Sequence, residues 1–376
     1  MTAASPEIPF LDLVAPYEEL RAEIDAAVAR VLRSGRYLFG PELAAFESAF
    51  ARYCGRPHCV AVGSGSDAIE LALRALDVGP GDEVIVPSHT FIGTWLAVSA
   101  TGARPVPVEP DGELYVLTGD TVEAAITPRT AAVLPVHLYG HPADLDAIAA
   151  VAGRHGIPVV EDAAQAHGAR LRGRAIGSGP SAAAAFSFYP AKNLGSLGDG
   201  GAVVTGDPAI ADRLRLLRNY GSRVKYVHEL AATHSRLDEL QAALLRVKLD
   251  RLDEWNARRR AIAHRYLRGL AGLDGLVPPR TAEWADPSWH LFVVRARSRA
   301  ERDRAAAALG AAGIGTVIHY PTPAHRSAVY AADHPAPQPI AEALADQVLS
   351  LPIGPHQSSA ATDRVVAATL EWHARR

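Results

Sequence analysis

The stretch SFYPAKNLGSLGDGGAVV, residues 187–204, sets Lys192 between an uncharged, aromatic run and a loop carrying Gly195, Gly198, Gly200 and Gly201. A lysine held against apolar surface is pushed toward its neutral amine, the form that attacks a carbonyl carbon to make an imine. The glycines let a bulky group approach the backbone. A nucleotide phosphate loop would need a Gly-Lys-Ser/Thr ending and a helix directly after it, and GLGDGG offers neither. A solvated lysine beside an ordinary turn is the plain alternative.

Other segments carry side chains suited to the same chemistry. PVVEDAAQAHG ends a hydrophobic run on Glu161 and Asp162, carboxylates that are costly there without partners. The two point to opposite faces of a strand, so only one enters a site. Asp162 is the candidate partner of a protonated ring nitrogen, a pairing that turns a pyridine into an electron sink. An acidic strand end capping a loop is the alternative. In GSGSDAIELALRAL, residues 63–76, small residues open a helix whose free N–H groups, with the Ser66 hydroxyl, suit a phosphate. Ser66 and Asp67 suit a simple N-cap equally well. Ser187 is a second hydroxyl donor, and Phe91 in PSHTFIGTW has a flat ring able to cover a planar cofactor or to join a core.

These side chains need a scaffold, and the sequence supplies one. Lys192 sits at the exit of AAAFSFY, and strand exits are where open α/β sheets build their sites. Short β-rich runs alternate with helical patterns between residues 59 and 207: CVAVGS, DEVIVPS, RPVPVEP, AAVLPVHL, PVVEDAA, AAAFSFY and GAVVTGD. That alternation predicts a mostly parallel, seven-stranded sheet covered by helices. YEELRAEIDAAVARVL has helical spacing and stops at Ser34-Gly35; from Leu237 a long helical stretch carries the chain onward to residue 270. WHLFVVRA, ERDRAAAALGAAGI and VIHY then predict a small α+β unit. The expected division is a large α/β domain with an N-terminal arm over residues 1–255 and a small C-terminal α+β domain over residues 256–376.

Composition narrows the function classes. At 376 residues, 48% hydrophobic and 21% charged, the chain is large enough for two domains with a substantial core. A net charge of -3 and a pI near 6.6 give no general attraction for nucleic acid or an anionic membrane. Cys54 and Cys59 are the two cysteines, no charged segment with an apolar core opens the sequence, and no apolar run approaches about 18 residues. The expectation is a cytoplasmic protein with no membrane span and no metal ligands.

Taken in order, SGRYLFGPELAAFESAFARY, GSGSDAIELAL, GDEVIVPSHTF, PVHLYGHPADLDAI, VVEDAAQAHGA, SFYPAKNLGSLGDGGA, SRLDELQAALLRVKLDRLDEWN and IHYPTP resemble the DegT/DnrJ/EryC1/StrS sugar aminotransferases across nearly the whole chain. The resemblance implies the aspartate-aminotransferase architecture (fold type I) and pyridoxal 5'-phosphate, which becomes pyridoxamine 5'-phosphate during turnover. It implies that Lys192 forms the imine with that cofactor, that Asp162 faces the pyridine nitrogen and Gln165 the phenolic oxygen, and that Phe91 stacks on the ring. Gly65, Ser66 and Ser187 match phosphate positions. Where the family often has asparagine before SRLDE, reaching the partner subunit's cofactor phosphate in a homodimer with shared sites, this sequence has His234.

The same resemblance implies amino transfer, with L-glutamate as donor, to a keto carbon of a nucleotide-linked sugar. RNYGSRVKYVHE, residues 218–229, is similar to the version in enzymes that aminate C3 of dTDP-linked 3-keto-6-deoxyhexoses in antibiotic pathways. Tyr220, Arg223 and Lys225 would hold the diphosphate, or form a solvated basic loop. His319 and Tyr320 in IHYP would close the site, or pack together. A 4-ketosugar aminotransferase and a catalytically silent cofactor-binding regulator are the rival functions. Sugar dehydratases of this fold carry histidine in place of the lysine, so Lys192 argues against them.

Overall fold

The computed structural model describes residues 7–334 and 336–375. All seven strand-like runs form strands: β1 His58–Val62, β2 Glu83–Pro87, β3 Arg104–Val108, β4 Thr130–Val133, β5 Val160–Asp162, β6 Ala183–Ser187 and β7 Gly201–Thr205. The pairings order them β3-β2-β4-β5-β6-β7-β1, with β4 and β5 joined by the parallel bridges Val133–Val159 and Val136–Asp162. Only β7 runs antiparallel, to β6 on one side and β1 on the other. Both faces of the sheet are covered, which is why β2, β6 and β7 read as continuous apolar runs rather than alternating ones.

Alternate residues of each strand enter two different cores. Ala184 and Phe186 join Phe46, Phe50 and Phe188 on one face, and Phe50 meets Phe186 edge-on at 5.0 Å. Ala183 and Ala185 join Val60, Val62, Leu71 and Trp95 on the other. The Pro41–Tyr53 helix that supplies Phe46 and Phe50 is capped from far along the chain: the buried Glu239 carboxylate accepts from the N–H groups of Gly40, Glu42 and Leu43 at 2.8 to 2.9 Å. Three donors that a helix start leaves unpaired are thereby satisfied by one side chain.

One sequence expectation changes in detail. The helical stretch from residue 237 to 270 is two helices, Glu239–Leu249 and Leu252–Gly269. The second crosses the expected 255/256 boundary, because Trp255 packs with Leu20, Ile24 and Leu244 while Ile262 and Tyr266 enter a separate core with Phe292, Leu349 and Trp372. That separate core holds an antiparallel sheet of Leu276–Val277, Phe292–Ala296 and Val348–Leu351, covered by the helices Arg299–Ala311 and Ser359–Ala374. Within VIHY, Val317 makes a single bridge to Ser350. Near the start, Gly35 ends the Arg21–Ser34 helix in the left-handed conformation at φ 63°. No helix among the described residues is long and apolar enough to cross a membrane.

Candidate active site

The carboxyl ends of β1, β2, β5 and β6 open onto one cavity of about 450 Å³. Lys192, Asp162, Gln165, Gly65, Ser66, Ser187, Phe91, His319 and Tyr320 all line it. Five segments that lie far apart in sequence therefore meet at one place, four of them at strand exits, where open parallel sheets build their sites.

Lys192 lies in the turn after β6, its N–H donating to the Tyr189 carbonyl at 2.8 Å. Burial pushes its ammonium down to about 8, against the opposing charge of Asp162. About a tenth of the amine is thus in its neutral, nucleophilic form at pH 7. Asp162 ends β5 and is buried; Glu161, beside it, turns the other way and is held by Gly177 N–H at 3.0 Å, His137 at 3.1 Å and the Ser181 hydroxyl. Burial raises the Asp162 carboxyl, while the Thr94 hydroxyl, donating to Oδ2 at 2.8 Å, the Ala164 N–H at 3.1 Å and the charge of Lys192 oppose that rise.

Another part of the cavity wall is a close-packed cradle. β7 begins at Gly201, which pairs with Val62 of β1 and Ser187 of β6. A side chain there would run into the Ser64 carbonyl, so glycine lets the two strand exits close together. At Gly65 an added Cβ would lie 2.5 Å from Ser187 Cβ. The cap of the Gly65–Ala75 helix is Ser64, whose Oγ accepts from Asp67 N–H at 3.1 Å. This corrects the expectation of a Ser66 or Asp67 cap, and it leaves Ser66 on the cavity wall with its hydroxyl free of capping duty. Asp67 instead accepts from the Ser235 hydroxyl at 2.6 Å.

Gln165 is oriented by its neighbours. Its Oε1 accepts from Tyr139 N–H at 2.6 Å and its Nε2 donates to the Tyr320 hydroxyl at 2.9 Å, so the amide presents its donor side to the cavity. Phe91, 53% exposed at the cavity mouth, tilts against Tyr320 at 5.5 Å. His319 pairs with the Ser350 hydroxyl at 2.8 Å, and its carbonyl accepts from the Tyr139 hydroxyl. Burial, helped by Lys192, pushes its imidazole down to about 4.

The remaining expected residues are not brought to this cavity within the chain. His234 stacks on Tyr220 at 5.1 Å, Arg223 is engaged by Asp212 and Glu229, and Lys225 lies 5.0 Å over the Tyr226 ring. They share an exposed loop that follows the Pro208–Leu217 helix. Conversely, the cavity contains Ser64, Thr90, Thr94, Tyr189, Asp199 and His290, none of which the sequence reading selected. Thr90 and Thr94 carried a usable signal, four residues apart in PSHTFIGTW and so on one face of a helix start. His290, in the apolar run WHLFVV, carried none.

The DegT/DnrJ/EryC1/StrS aminotransferase family matches residues 18–370. The chain belongs to this family. Among its DegT/DnrJ/EryC1/StrS relatives is the dTDP-3-amino-3,4,6-trideoxy-alpha-D-glucose transaminase of Streptomyces venezuelae, 62% identical over 99% of this chain and 98% of that protein. A crystal structure of S. venezuelae DesV in complex with a ketimine intermediate superposes with a TM-score of 0.97, covering 99% of this chain and 100% of that one. The erythromycin biosynthesis sensory transduction protein EryC1 of Saccharopolyspora erythraea is 63% identical over 96% of this chain and 98% of its own length. NtdA of Bacillus subtilis, solved with bound cofactor PMP, is 30% identical with a TM-score of 0.90, covering 99% of this chain and 86% of that one. A mostly parallel sheet with one antiparallel strand, and solved neighbours that are aminotransferases of this family, make the fold that of the type I aminotransferases.

Proposed function

We propose that this aminotransferase uses pyridoxal 5'-phosphate to move an amino group from L-glutamate to C3 of a dTDP-linked 3-keto-6-deoxyhexose in the making of antibiotic amino sugars. The observation that carries the reading is the convergence of Lys192, Asp162 and the Gly65–Ser66–Ser187 cradle on one cavity. The residues fit that cofactor. A buried amine lowered toward neutrality suits an aldehyde, a buried carboxylate suits a protonated ring nitrogen, and a helix start with two hydroxyls, tightly packed at Gly65, suits a dianion. When bound, pyridoxal phosphate supplies the electron sink that stabilises a carbanion next to nitrogen.

Each residue then has a task. Lys192 Nζ would hold the cofactor and, when free, would serve as the base that takes and returns the α-proton of the amino donor. Asp162 would keep the ring nitrogen protonated, and the Thr94 hydroxyl favours the ionised form of Asp162 against the cost of burial. Gln165 would donate to the phenolic oxygen, and Phe91 would cover the ring. We assign Tyr220, Arg223 and Lys225 to the diphosphate and His319 and Tyr320 to closure around the sugar. His234 reaches the cofactor phosphate of the second subunit in a homodimer whose sites are shared. We take residues 1–255 as the cofactor-binding domain and 256–376 as the small domain, in a cytoplasmic enzyme.

C3 is favoured over C4 because the relative at 62% identity is named for a 3-amino sugar. A silent regulator, the reading suggested by the name of EryC1, has no use for a buried, deprotonatable lysine. The deciding experiment incubates the purified protein with cofactor and borohydride, maps the labelled peptide, and then assays 3-keto and 4-keto dTDP-sugars with glutamate, identifying products by NMR. Label on a residue other than Lys192, or product only from the 4-keto sugar, overturns the corresponding part.

A further inference from the structure

His290 lines the same cavity as Lys192, on a segment next to the Phe292–Ala296 strand. Its surroundings fix which ring nitrogen carries the proton. Asn256 donates through Nδ2 to the His167 carbonyl at 2.8 Å, so its Oδ1 turns to accept from Asn193 Nδ2 at 2.9 Å. Asn193 Nδ2 also donates to the Ser288 carbonyl at 2.9 Å. Carbonyl oxygens only accept, so neither amide can be reversed without losing a buried bond. Asn193 Oδ1 is thereby aimed at His290 Nδ1 at 3.2 Å, and Nδ1 must be the protonated nitrogen. All three side chains belong to buried residues. Nε2 keeps a bare lone pair and has no partner among the described residues. Burial, reinforced by the charges of Lys192 and Arg259, holds the ring well below the usual histidine range, so it is neutral.

We propose that His290 is a fixed, neutral acceptor on the cavity wall whose Nε2 receives a hydrogen bond from an N–H or O–H group of the bound substrate, with Asn193 and Asn256 as the residues that position it. The inference rests on the aminotransferase reading of the cavity. Two sources share this donor chemistry, the ammonium of the amino donor and a hydroxyl of the sugar. Neither a permanently charged imidazolium nor the other tautomer would serve, since both would offer the cavity a donor in place of an acceptor.

The test uses the cofactor-loaded protein. In ¹⁵N-histidine NMR at pH 7, with His290 assigned by the signal lost in His290→Gln, Nδ1 is expected to be protonated and Nε2 bare. In separate titrations with L-glutamate and with a dTDP-3-keto-6-deoxyhexose, His290→Phe is expected to raise KM for at least one by about tenfold or more, as loss of a buried hydrogen bond implies. His290→Gln, which keeps an acceptor oxygen, should recover part of that loss, and the substrate affected names the source. Asn193→Leu frees the tautomer and should raise the same KM, which keeps the test decisive if the phenylalanine variant does not fold. A proton on Nε2, or both KM values within about twofold of the parent, overturns the proposal. Failure of borohydride to fix cofactor on Lys192 would overturn the reading of the cavity instead, and the tautomer is then read on the cofactor-free protein.

Discussion

Thr94 donates its hydroxyl hydrogen to Asp162 Oδ2 at 2.8 Å and accepts in turn from Thr90 at 3.0 Å. The two residues join the start of the Ile92–Ala100 helix to the end of β5. Thr94→Val removes the donor that opposes the raised Asp162 carboxyl, so protonation of Asp162 moves to higher pH. The acid limb of the rate of the glutamate half-reaction is expected to shift upward by about one pH unit. Thr94→Ser should restore the parent profile; an unmoved limb in Thr94→Val would separate Thr94 from the control of Asp162.

Asp162→Asn keeps the shape of the site and loses its charge. Cofactor should still bind, while both half-reactions slow by about 10²-fold or more, because a charge-assisted pair is lost from an enclosed site. Single-turnover absorbance changes measure each half separately. Rates within a few-fold of the parent would remove Asp162 from the ring nitrogen.

Lys192 makes the cofactor-free protein pH-sensitive. Its ammonium is held down to about 8 in the fold against an ordinary 10.5. Between those values the unfolded chain binds more protons, so stability rises with pH through that window and the penalty is fully present below it. Lys192→Met should therefore stabilise the cofactor-free protein by about 3 kcal/mol at pH 7. The gain should shrink toward pH 10.5. Denaturant titrations across that range provide the check, and a gain that does not vary with pH would contradict it.

Gly65→Ala places a methyl group 2.5 Å from Ser187 Cβ, between the helix start and the β6 exit. The fold should persist, since the strain can be relieved by a local shift, but the shift moves Ser187 and the free N–H groups apart. Cofactor affinity is expected to fall by about tenfold or more. Equilibrium dialysis of the cofactor gives the value, and parental affinity would mean that this cradle does not hold the phosphate.

Shared sites allow two inactive proteins to rescue each other. Lys192→Ala and His234→Asp, mixed, dissociated and reassociated, form dimers of which half pair unlike chains, each with one intact site of two. Activity should recover to about a quarter of the parent. Inactive heterodimers, verified by mass spectrometry, would return His234 to a role within its own subunit or to none.

Much of the site is written in short stretches. Lys192, Asp162, Gly65, Ser66, Ser187 and Gln165 each stand at the end of a local apolar run, and a strand exit is recognisable from the few residues around it. The alternation of β5 likewise separates Asp162 from Glu161 without any knowledge of the rest of the chain. What the sequence could not state is which exits meet. The order β3-β2-β4-β5-β6-β7-β1 places β1 at one edge although it precedes β2, and that arrangement brings Gly65 to Ser187 beside Gly201. Thr94 reaches Asp162 across 68 residues, Glu239 caps a helix start 199 residues away, and His290 meets Asn193 across 97. Such pairs leave no periodic trace, because each partner is compatible by itself with a solvated or a buried setting. Covering both sheet faces with apolar helices excludes water from these polar groups, and the cost of leaving them unpaired selects their partners.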